Sequence, residues 1–509
     1  MKLAAQFRSV LLVILMIPCF ISRAQDVTGI LPNIILFLVD DMGLMDTSVP
    51  FLVDSNGRAL RHPLNEYYRT PNMEKLASQG IRFSNFYAHS VCSPSRATIL
   101  TGQNSARHRV TNWIRSESNN RGEFGPSAWN WSGLTRASVT LPRILQHQGY
   151  KTIHVGKAHF GPFNSEGEDP LNLGFDVNIA GSSIGQPGSY LGTEGFGHID
   201  GNKSRAVPGL DRFHGQDIFL TEALTIEANQ AISQAKAEKK PFFLNMAHYA
   251  VHAPFYSDPR FADHYSSSEK SEKAQAYATL IEGIDKSLGD IIRHVQDIGL
   301  GENTLIFFMG DNGSDAPLPI ENEYSSSAPL RGKKGNHWEG GMRVPFMASW
   351  ISPSDQPGSQ RTLPIAQGAI QDQLGSILDI FPTILQLVNF QVDSNHVMDG
   401  FDLGQQLAGQ QNADREERFL NHFPHDHRSS YFTSMVHSGW KLIYHYPVEG
   451  APRYELYHLK YDPYELNNVA HQDQRQLKIM MGYLADELAS KQAQFPEKDG
   501  RVMELVMPD

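Results

Sequence analysis

Short apolar runs alternate with amphipathic helical stretches along most of this chain, and this alternation limits the fold more than any other feature. The first apolar run is NIILFLV, and the later runs TIHVG, PFFLNMA and LIFFMG each follow a stretch with helical spacing of apolar residues. Apolar runs separated by helices are typical of parallel strands with crossover helices. The sequence therefore predicts an α/β sandwich built on a large, mixed, mostly parallel sheet over about residues 25–410.

The pattern changes after about residue 410. Two segments, SMVHSGWKLIYHY and RYELYHLKYDPYELNN, consist of short alternating or aromatic runs separated by turn residues. Such runs are typical of a small antiparallel sheet. They are followed by QRQLKIMMGYLADELASKQAQ, which has the spacing of an amphipathic helix. We expect residues 411–509 to form a small C-terminal α+β domain with an antiparallel sheet.

Residues 1–24 have the features of a cleaved export signal. Lys2 and Arg8 accompany an apolar stretch, and Ser22-Arg23-Ala24 supplies a small-x-small cleavage site. A lipid anchor at Cys19 is the less favoured alternative, because Pro18 stands where a small residue precedes such a cysteine. The apolar stretch is too short for a membrane span. The sequence predicts an exported protein, periplasmic or secreted, without a transmembrane segment.

The charge and the cysteines narrow the function further. A formal net charge of −11 argues against a general nucleic-acid binder, since the whole molecule repels polyanions. An anionic substrate therefore requires a locally basic pocket. The chain has two cysteines, and removal of the signal leaves only Cys92, which then has no partner for an internal disulfide.

Polar residues of the kinds used in catalysis follow the predicted strands. In open α/β sheets, ligands bind outside the carboxyl ends of the strands, where these residues meet. One isolated acidic pair is more often a helix cap, but several strand ends together favour a functional site. The residues that follow the four runs are Asp40 and Asp41, Lys157 and His159, His248 and His252, and Asp311 and Asn312.

The segment CSPSRATILTG, which begins at Cys92, resembles the signature of the type I sulfatases, in which the motif cysteine is oxidised to formylglycine during export. The modifying enzyme of that family recognises Cys-x-Pro-x-Arg, which Cys92, Pro94 and Arg96 match. Further family blocks occur in family order from about Asn33 to about Ala470, namely LVDDMG, GYKTIHVGKAHFG, NMAHYAVHAPF, GDNG, PLRGKKGNHWEGGMRVP and YELYHLKYDPYELNNVA.

This resemblance extends to bacterial polysaccharide and arylsulfatase-like members. It implies an alkaline-phosphatase-like fold and hydrolysis of a sulfate monoester, with a sugar as the expected substrate. A hydrated formylglycine attacks sulfur with one hydroxyl, and its second hydroxyl, once deprotonated, expels the sulfate. The resemblance also implies a calcium ion, which prefers oxygen ligands. Its implied ligands are Asp40, Asp41, Asp311, Asn312 and the modified Cys92 side chain.

The resemblance assigns roles to the basic residues as well. Arg96 is expected to hold the formylglycine hydroxyl, and Lys157 and Lys334 to bind the sulfate oxygens. His159 is expected to be the base that releases sulfate, and His252 to donate a proton or hydrogen bond to the leaving oxygen. Lys333 stands where the family usually has glycine, so the choice between Lys333 and Lys334 stays open at this point.

The sugar-binding residues are less well defined by the sequence. The segment NHFPHDHR, with His422, His425 and Arg428, resembles a loop near the substrate pocket of polysaccharide sulfatases, although a solvated loop or an adventitious metal site fits it equally. His248 is either a substrate contact or a hydrogen-bonded core histidine. A further candidate carbohydrate subsite lies in one loop, although basic and aromatic residues are also common in loops without such a role. Its residues are Arg107, His108, Trp113, Arg115 and Trp131.

Two alternatives to a sulfatase remain open from the sequence. The first is a phosphonate monoester or phosphodiester hydrolase of the same superfamily, because formylglycine also serves there. The second is a non-catalytic, carbohydrate-binding member, which requires a lost ligand or nucleophile. None of the implied ligands or catalytic residues is missing from this chain.

Overall fold

The computed structural model describes residues 31–318, 326–354, 358–446 and 452–509, so the export signal and Cys19 lie outside the described residues. The strands are β1 (Asn33–Val39), β2 (Ile81–Phe83), β3 (Phe86–Tyr87), β4 (Lys151–Gly156), β5 (Val177–Ile179), β6 (Phe242–Ala247), β7 (Thr304–Gly310), β8 (Phe346–Trp350), β9 (Ala369–Gln371), β10 (Gly375–Ser376), β11 (Arg418–Phe423), β12 (Phe432–His437), β13 (Trp440–His445), β14 (Tyr454–His458), β15 (Glu497–Lys498) and β16 (Arg501–Val502).

Helices occupy much of the chain between these strands. The α-helices are α1 (Pro63–Tyr67), α2 (Pro71–Gln79), α3 (Cys92–Thr101), α4 (Ser105–His108), α5 (Leu141–His147), α6 (Leu220–Ala237), α7 (Glu272–Asp297), α8 (Glu339–Met342), α9 (Gly358–Thr362), α10 (Ile380–Leu387), α11 (Gly404–Leu407) and α12 (Gln474–Ser490). Short 3₁₀ segments lie at Glu166–Glu168, Pro170–Leu173, Gly192–Gly197, Lys203–Arg205, Asp211–Phe213, Ala262–His264, Gly301–Asn303 and Ile377–Asp379.

The large sheet has the order β5-β4-β6-β1-β7-β8-β2-β9. All neighbouring strands pair in parallel except at β8, which is antiparallel to both β7 and β2. The predicted mixed, mostly parallel sheet is therefore confirmed. The strands β1 and β7 lie side by side with Val39 opposite Gly310, so both strands end at the same edge of the sheet.

Apolar side chains cover both faces of this sheet. Along β1, Ile35 and Phe37 belong to one buried cluster, which includes residues of α6 and α7, and Ile34 and Leu36 belong to another, which includes residues of α3 and α10. Burial of each such side chain stabilises the fold by about 1.5–3 kcal/mol. Helices on both faces complete the three-layer sandwich that the alternation of apolar runs and helices predicts.

A second, smaller sheet lies in the C-terminal region. Its strands have the order β11-β12-β13-β14 and are all antiparallel. Leu477, Met481 and Leu484 of α12 pack in one apolar cluster with Leu442 of β13. The predicted antiparallel sheet is confirmed, whereas a domain boundary near residue 410 stays a prediction, because Leu31–Asp509 forms one compact unit.

Across the described ranges, we find no helix with both the length and the apolar character that a membrane span needs.

Candidate active site

Four oxygen-bearing side chains lie together just beyond β1 and β7. Asp40 and Asp41 follow β1, and Asp311 and Asn312 follow β7; all four are fully buried. The backbone N–H of Asp41 donates to Oδ1 of Asp311 over 3.1 Å, and Nδ2 of Asn312 donates to Oδ1 of Asp41 over 3.0 Å. The parallel register of the two strands thus brings together residues that are about 270 positions apart in the chain.

This acidic cluster has the composition and geometry of a cation site. One carboxylate oxygen from each of Asp40, Asp41 and Asp311 lies within 4.8 Å of the others. Among the described residues, Oδ1 of Asn312 has no hydrogen-bond partner although it is buried. A buried, unpartnered amide oxygen beside three carboxylates fits a hard cation, which takes oxygen ligands.

Three basic side chains compensate the charge of these carboxylates. Nε of Arg96 donates to Oδ2 of Asp311 over 2.8 Å, and Nη1 of Arg96 donates to the carbonyl of Lys157 over 2.7 Å. Nζ of Lys157 lies 2.8 Å from both oxygens of Asp40. Both ion pairs are almost completely buried, so Arg96 and Lys157 hold the carboxylates of Asp311 and Asp40 in a fixed geometry.

Lys334 is the third basic residue at the cluster. Its Nζ lies 2.7 Å from the Asp41 carboxylate. Burial alone lowers the pKa of Lys334, but the charge of Asp41 outweighs it and holds that pKa above its ordinary value. Lys333, by contrast, is partly exposed and its Nζ lies 3.8 Å from Asp315. Of the two lysines that the sequence left open, Lys334 is the one in the site.

Cys92 is the first residue of α3 and lies almost fully buried beside this cluster. The N-terminus of a helix carries partial positive charge, which favours an anion at this position. Sγ of Cys92 lies 3.4 Å from Nδ1 of His159. Burial raises the pKa of the Cys92 thiol, so an unmodified Cys92 is protonated at neutral pH.

His159 is oriented so that its Nδ1 faces residue 92. Its Nε2 donates to the carbonyl of Ile114 over 2.6 Å, which leaves Nδ1 as the acceptor that faces Cys92. Burial, together with the charge of Lys157, lowers the pKa of His159 well below its ordinary value. His159 is therefore neutral, as a proton acceptor must be before the transfer.

His252 lies on the other side of the acidic cluster, at the cavity. Its Nδ1 lies 2.9 Å from the carbonyl of Ala253, and its Nε2 lies 3.5 Å from Oδ2 of Asp41. Because the carbonyl of Ala253 accepts from Nδ1, the neutral ring has no proton on Nε2, the nitrogen nearest to Asp41. Burial lowers the pKa of His252 to about 4.

A cavity of about 280 Å³ opens onto Cys92 and both catalytic histidine candidates. Nε2 of His427 is buried on its wall and has no hydrogen-bond partner among the described residues. Nη1 and Nη2 of Arg428 donate to the Asp315 carboxylate over 2.5 and 2.7 Å. The cavity is lined by Cys92, Trp113, Ile114, Ser116, His159, Gly185, Gln186, Arg205, His252, Ala253, Asp315, Lys334, His427 and Arg428.

Three predicted substrate contacts are corrected by the structure. His248 is fully buried and its Nε2 lies 2.9 Å from Oγ of Ser287. His422 and His425 are also buried, and each uses both ring nitrogens in hydrogen bonds with protein groups. None of the three lines the cavity. The rings of His422 and His425 are fully hydrogen-bonded within the protein, and His248 is buried against Ser287, with its Nδ1 unpartnered among the described residues. Arg428 does line it, as does Trp113.

Several residues on the cavity wall have no signal in the sequence. Ser116, Gln186 and Asp315 come from loops, and Arg205 from the short 3₁₀ segment Lys203–Arg205; in none of these does the spacing of residues follow a motif. Arg205 forms an ion pair with Glu117. A basic residue in a polar loop is common, so only the fold reveals that Arg205 faces the same cavity as Cys92.

Known proteins are similar to this chain in sequence and in fold. Residues 32–390 match the sulfatase family model, and residues 336–494 match the C-terminal region of N-sulphoglucosamine sulphohydrolase. N-acetylgalactosamine-6-sulfatase of Mus musculus is 33% identical over 399 residues, which cover 75% of this chain and 68% of that protein. Arylsulfatase A of Homo sapiens is 30% identical over 414 residues, with coverage of 76% and 70%.

A similar fold occurs in the crystal structure of Ps i-CgsB in complex with k-i-k-neocarrahexaose, with a TM-score of 0.70, 22% identity, and coverage of 93% of this chain and 95% of that one. The sandwich is thus of the alkaline-phosphatase-like type found in sulfatases. A match to the family over most of the described catalytic region, together with an acidic cluster beside a buried motif cysteine, leads to one assignment. The chain belongs to the sulfatase family of sulfuric ester hydrolases.

Proposed function

We propose that this protein removes sulfate from a sulfated carbohydrate, with a formylglycine at position 92 and a calcium ion at the acidic cluster. The observation that carries the proposal is the contact between Sγ of Cys92 and Nδ1 of His159 at the inner end of a cavity that also holds Lys334 and His252. The similarity to the mouse protein named N-acetylgalactosamine-6-sulfatase supports a sugar substrate.

Calcium fits the cluster because its donors are three carboxylates and the unpartnered amide oxygen of Asn312. Asp40, Asp41, Asp311 and Asn312 would hold the ion. A bound calcium ion supplies positive charge beside the reacting oxygen atoms. Lys157 and Lys334 neutralise part of the carboxylate charge, and we expect both to attract the sulfate oxygens.

Formylglycine at position 92 supplies a hydroxyl nucleophile in place of a thiol whose pKa is raised by burial. The recognition segment Cys92–Arg96 lies in the buried part of α3, where a second enzyme cannot reach it. The modifying enzyme must therefore act on the chain before it folds. This order agrees with modification during export, which the predicted signal at residues 1–24 provides.

The histidines divide the proton transfers between them. His159, neutral and held by its hydrogen bond to Ile114, takes a proton from residue 92 at Nδ1. Without substrate, burial keeps His252 neutral with its proton on Nδ1, so donation to the leaving oxygen requires that Nε2 be protonated first. The negative charges of Asp41 and of a bound sulfate ester favour this imidazolium, which then donates from Nε2 to the leaving oxygen of the sugar. Arg96 is fixed by its hydrogen bonds to Asp311 and to the backbone of Lys157. Its buried Nη2 has no hydrogen-bond partner among the described residues and would hold the formylglycine hydroxyl.

The cavity wall provides the contacts to the sugar. Trp113 offers an aromatic surface, and the buried, unpartnered Nε2 of His427 is available to a sugar hydroxyl. Arg428 and Arg205 also lie on this wall, each paired with a carboxylate, Asp315 and Glu117 respectively. Their guanidinium groups would donate hydrogen bonds to an anionic carbohydrate.

A comparison of two nitrophenyl esters tests this function against the phosphonate alternative. We expect turnover of nitrophenyl sulfate to exceed that of nitrophenyl phenylphosphonate. We expect the Cys92→Ala variant to lose turnover of nitrophenyl sulfate. A preference for the phosphonate would contradict the proposal, and so would sulfate turnover that survives in Cys92→Ala. Absence of turnover of either ester and of a panel of sulfated mono- and oligosaccharides, in protein with formylglycine and calcium, would favour the non-catalytic alternative.

A further inference from the structure

A second group of metal-ligating side chains lies outside the active site. It consists of His337, His445 and Glu455, all buried, and one ligand atom of each lies within 4.8 Å of those of the other two. We refer to it as the His–His–Glu cluster. None of its members belongs to the acidic cluster or lines the cavity at Cys92.

Three separate segments form the cluster. His337 lies just before α8, His445 is the last residue of β13, and Glu455 is the second residue of β14. In the antiparallel pair, Glu455 lies opposite Ile443, so His445 is two residues further along on the same face. The sheet register thus fixes two members side by side, and the loop before α8 brings the third.

His337 is the member of the cluster whose ring nitrogens lack hydrogen-bond partners in the described part of the chain. Both of its ring nitrogens are buried without a hydrogen-bond partner among the described residues. Its Nε2 points to Oε1 of Glu455 at 3.5 Å. A buried polar group that stays unpaired costs free energy, so such groups in native structures have a partner or an ion.

Two hydrogen bonds orient the Glu455 carboxylate from the side opposite the histidines. Its Oε2 accepts hydrogen bonds from Oη of Tyr457 over 2.5 Å and from Nε1 of Trp338 over 3.3 Å. This leaves Oε1 between the two histidines, 2.7 Å from Nε2 of His445 and 3.5 Å from Nε2 of His337. Outer hydrogen bonds that fix a carboxylate in this way are typical of metal ligands.

The neighbouring charges permit a cation here. Within the described ranges, two cationic side chains lie nearby. Nζ of Lys441 is bound by Glu339 over 3.0 Å and by Glu465 over 2.7 Å, so its charge is compensated. Nη1 of Arg331 donates to Oη of Tyr457 and to the carbonyl of Glu465, each over 3.2 Å, and does not occupy the space between the two histidines and Glu455. Two imidazole nitrogens and one carboxylate oxygen suit zinc and its first-row neighbours rather than calcium, which takes oxygen ligands.

We propose that His337, His445 and Glu455 bind a zinc-like divalent cation at a site separate from the acidic cluster. The ion ties the loop that carries Lys334 and Trp338 to strands β13 and β14. It holds the catalytic region against the C-terminal sheet at a point three residues from a sulfate-binding lysine. The role is structural, since none of the three ligands contacts the substrate cavity.

Cobalt binding to the full, calcium-saturated protein tests this site. After removal of other metals, we expect one equivalent of Co²⁺ to bind with the visible absorption of a nitrogen-ligated ion, and Zn²⁺ to displace it. The variants His337→Asn and Glu455→Gln should weaken Zn²⁺ binding at least about 100-fold, the upper end of what loss of an outer-shell partner alone costs. His437→Asn, in the same sheet, is the control and should bind normally.

A second measurement tests the proposal even if one of the two cluster variants does not fold. Zn²⁺ should raise the midpoint of thermal unfolding of the calcium-saturated wild-type protein, because an ion that binds only the folded state stabilises it. The rise should persist in His437→Asn and be absent in whichever of the two cluster variants folds. Failure of the wild-type protein to bind Co²⁺ or Zn²⁺ in calcium, or unchanged binding in His337→Asn, would overturn the proposal.

Discussion

His252→Ala is expected to reduce hydrolysis of a sugar sulfate by about 10²–10⁴-fold, the usual contribution of general acid catalysis, while largely sparing nitrophenyl sulfate. A sugar hydroxyl is a poor leaving group and needs a proton as the S–O bond breaks, whereas nitrophenolate departs without one. Once His252 is protonated beside the bound sulfate ester, Nε2 is the nitrogen that supplies this proton, because Nδ1–H stays engaged by the carbonyl of Ala253. Steady-state kinetics with both substrates measure the difference.

A variant elsewhere in the cavity serves as the control for this prediction. His427 lines the cavity, but its side chain contacts neither Asp41 nor Cys92 in the described structure. His427→Ala should weaken binding of the sugar sulfate and leave the response to the leaving group unchanged. Equal losses on both substrates in His252→Ala would mean that His252 holds the sulfate or the fold and is not the acid.

Asp311→Ala is expected to abolish both cation binding and turnover. The change removes a carboxylate from the acidic cluster and leaves the guanidinium of Arg96 buried without its 2.8 Å partner. Loss of one member of a buried ion pair costs about 3–5 kcal/mol of stability. Calcium content, turnover and urea unfolding of the same preparation report the three effects.

A second buried ion pair separates loss of the cation from loss of stability. Arg415 and Asp379 form a pair with a 2.7 Å contact and similar burial, away from the acidic cluster. Asp379→Ala should therefore cost comparable stability and keep its calcium. If Asp311→Ala retained both calcium and activity, the assignment of the cation site would be wrong.

The core of the active site is predictable because it depends on strand ends. Asp40 and Asp311 each follow a buried apolar run, and parallel strands place such residues at one edge of the sheet. The resemblance of the Cys92 segment to a known signature adds the nucleophile position. Burial and hydrogen bonding then confirm that these side chains share one location.

Other parts of the site depend on packing that the sequence does not encode locally. His248 and His422 occur in suggestive segments, but the chemistry of histidine is equally suited to an internal hydrogen bond, and that is how both are used. Arg205 reaches the cavity from a short 3₁₀ segment without a motif. The His–His–Glu cluster combines a loop with two strands, so no spacing along the chain could indicate it.

Mass spectrometry of the tryptic peptide Phe83–Arg96 tests the central claim most directly. In protein produced with the modifying enzyme, residue 92 is expected to carry an aldehyde in place of the thiol. Across preparations with different degrees of modification, sulfate release should rise in proportion to the modified fraction. Full activity in protein whose residue 92 is entirely unmodified cysteine would contradict the account.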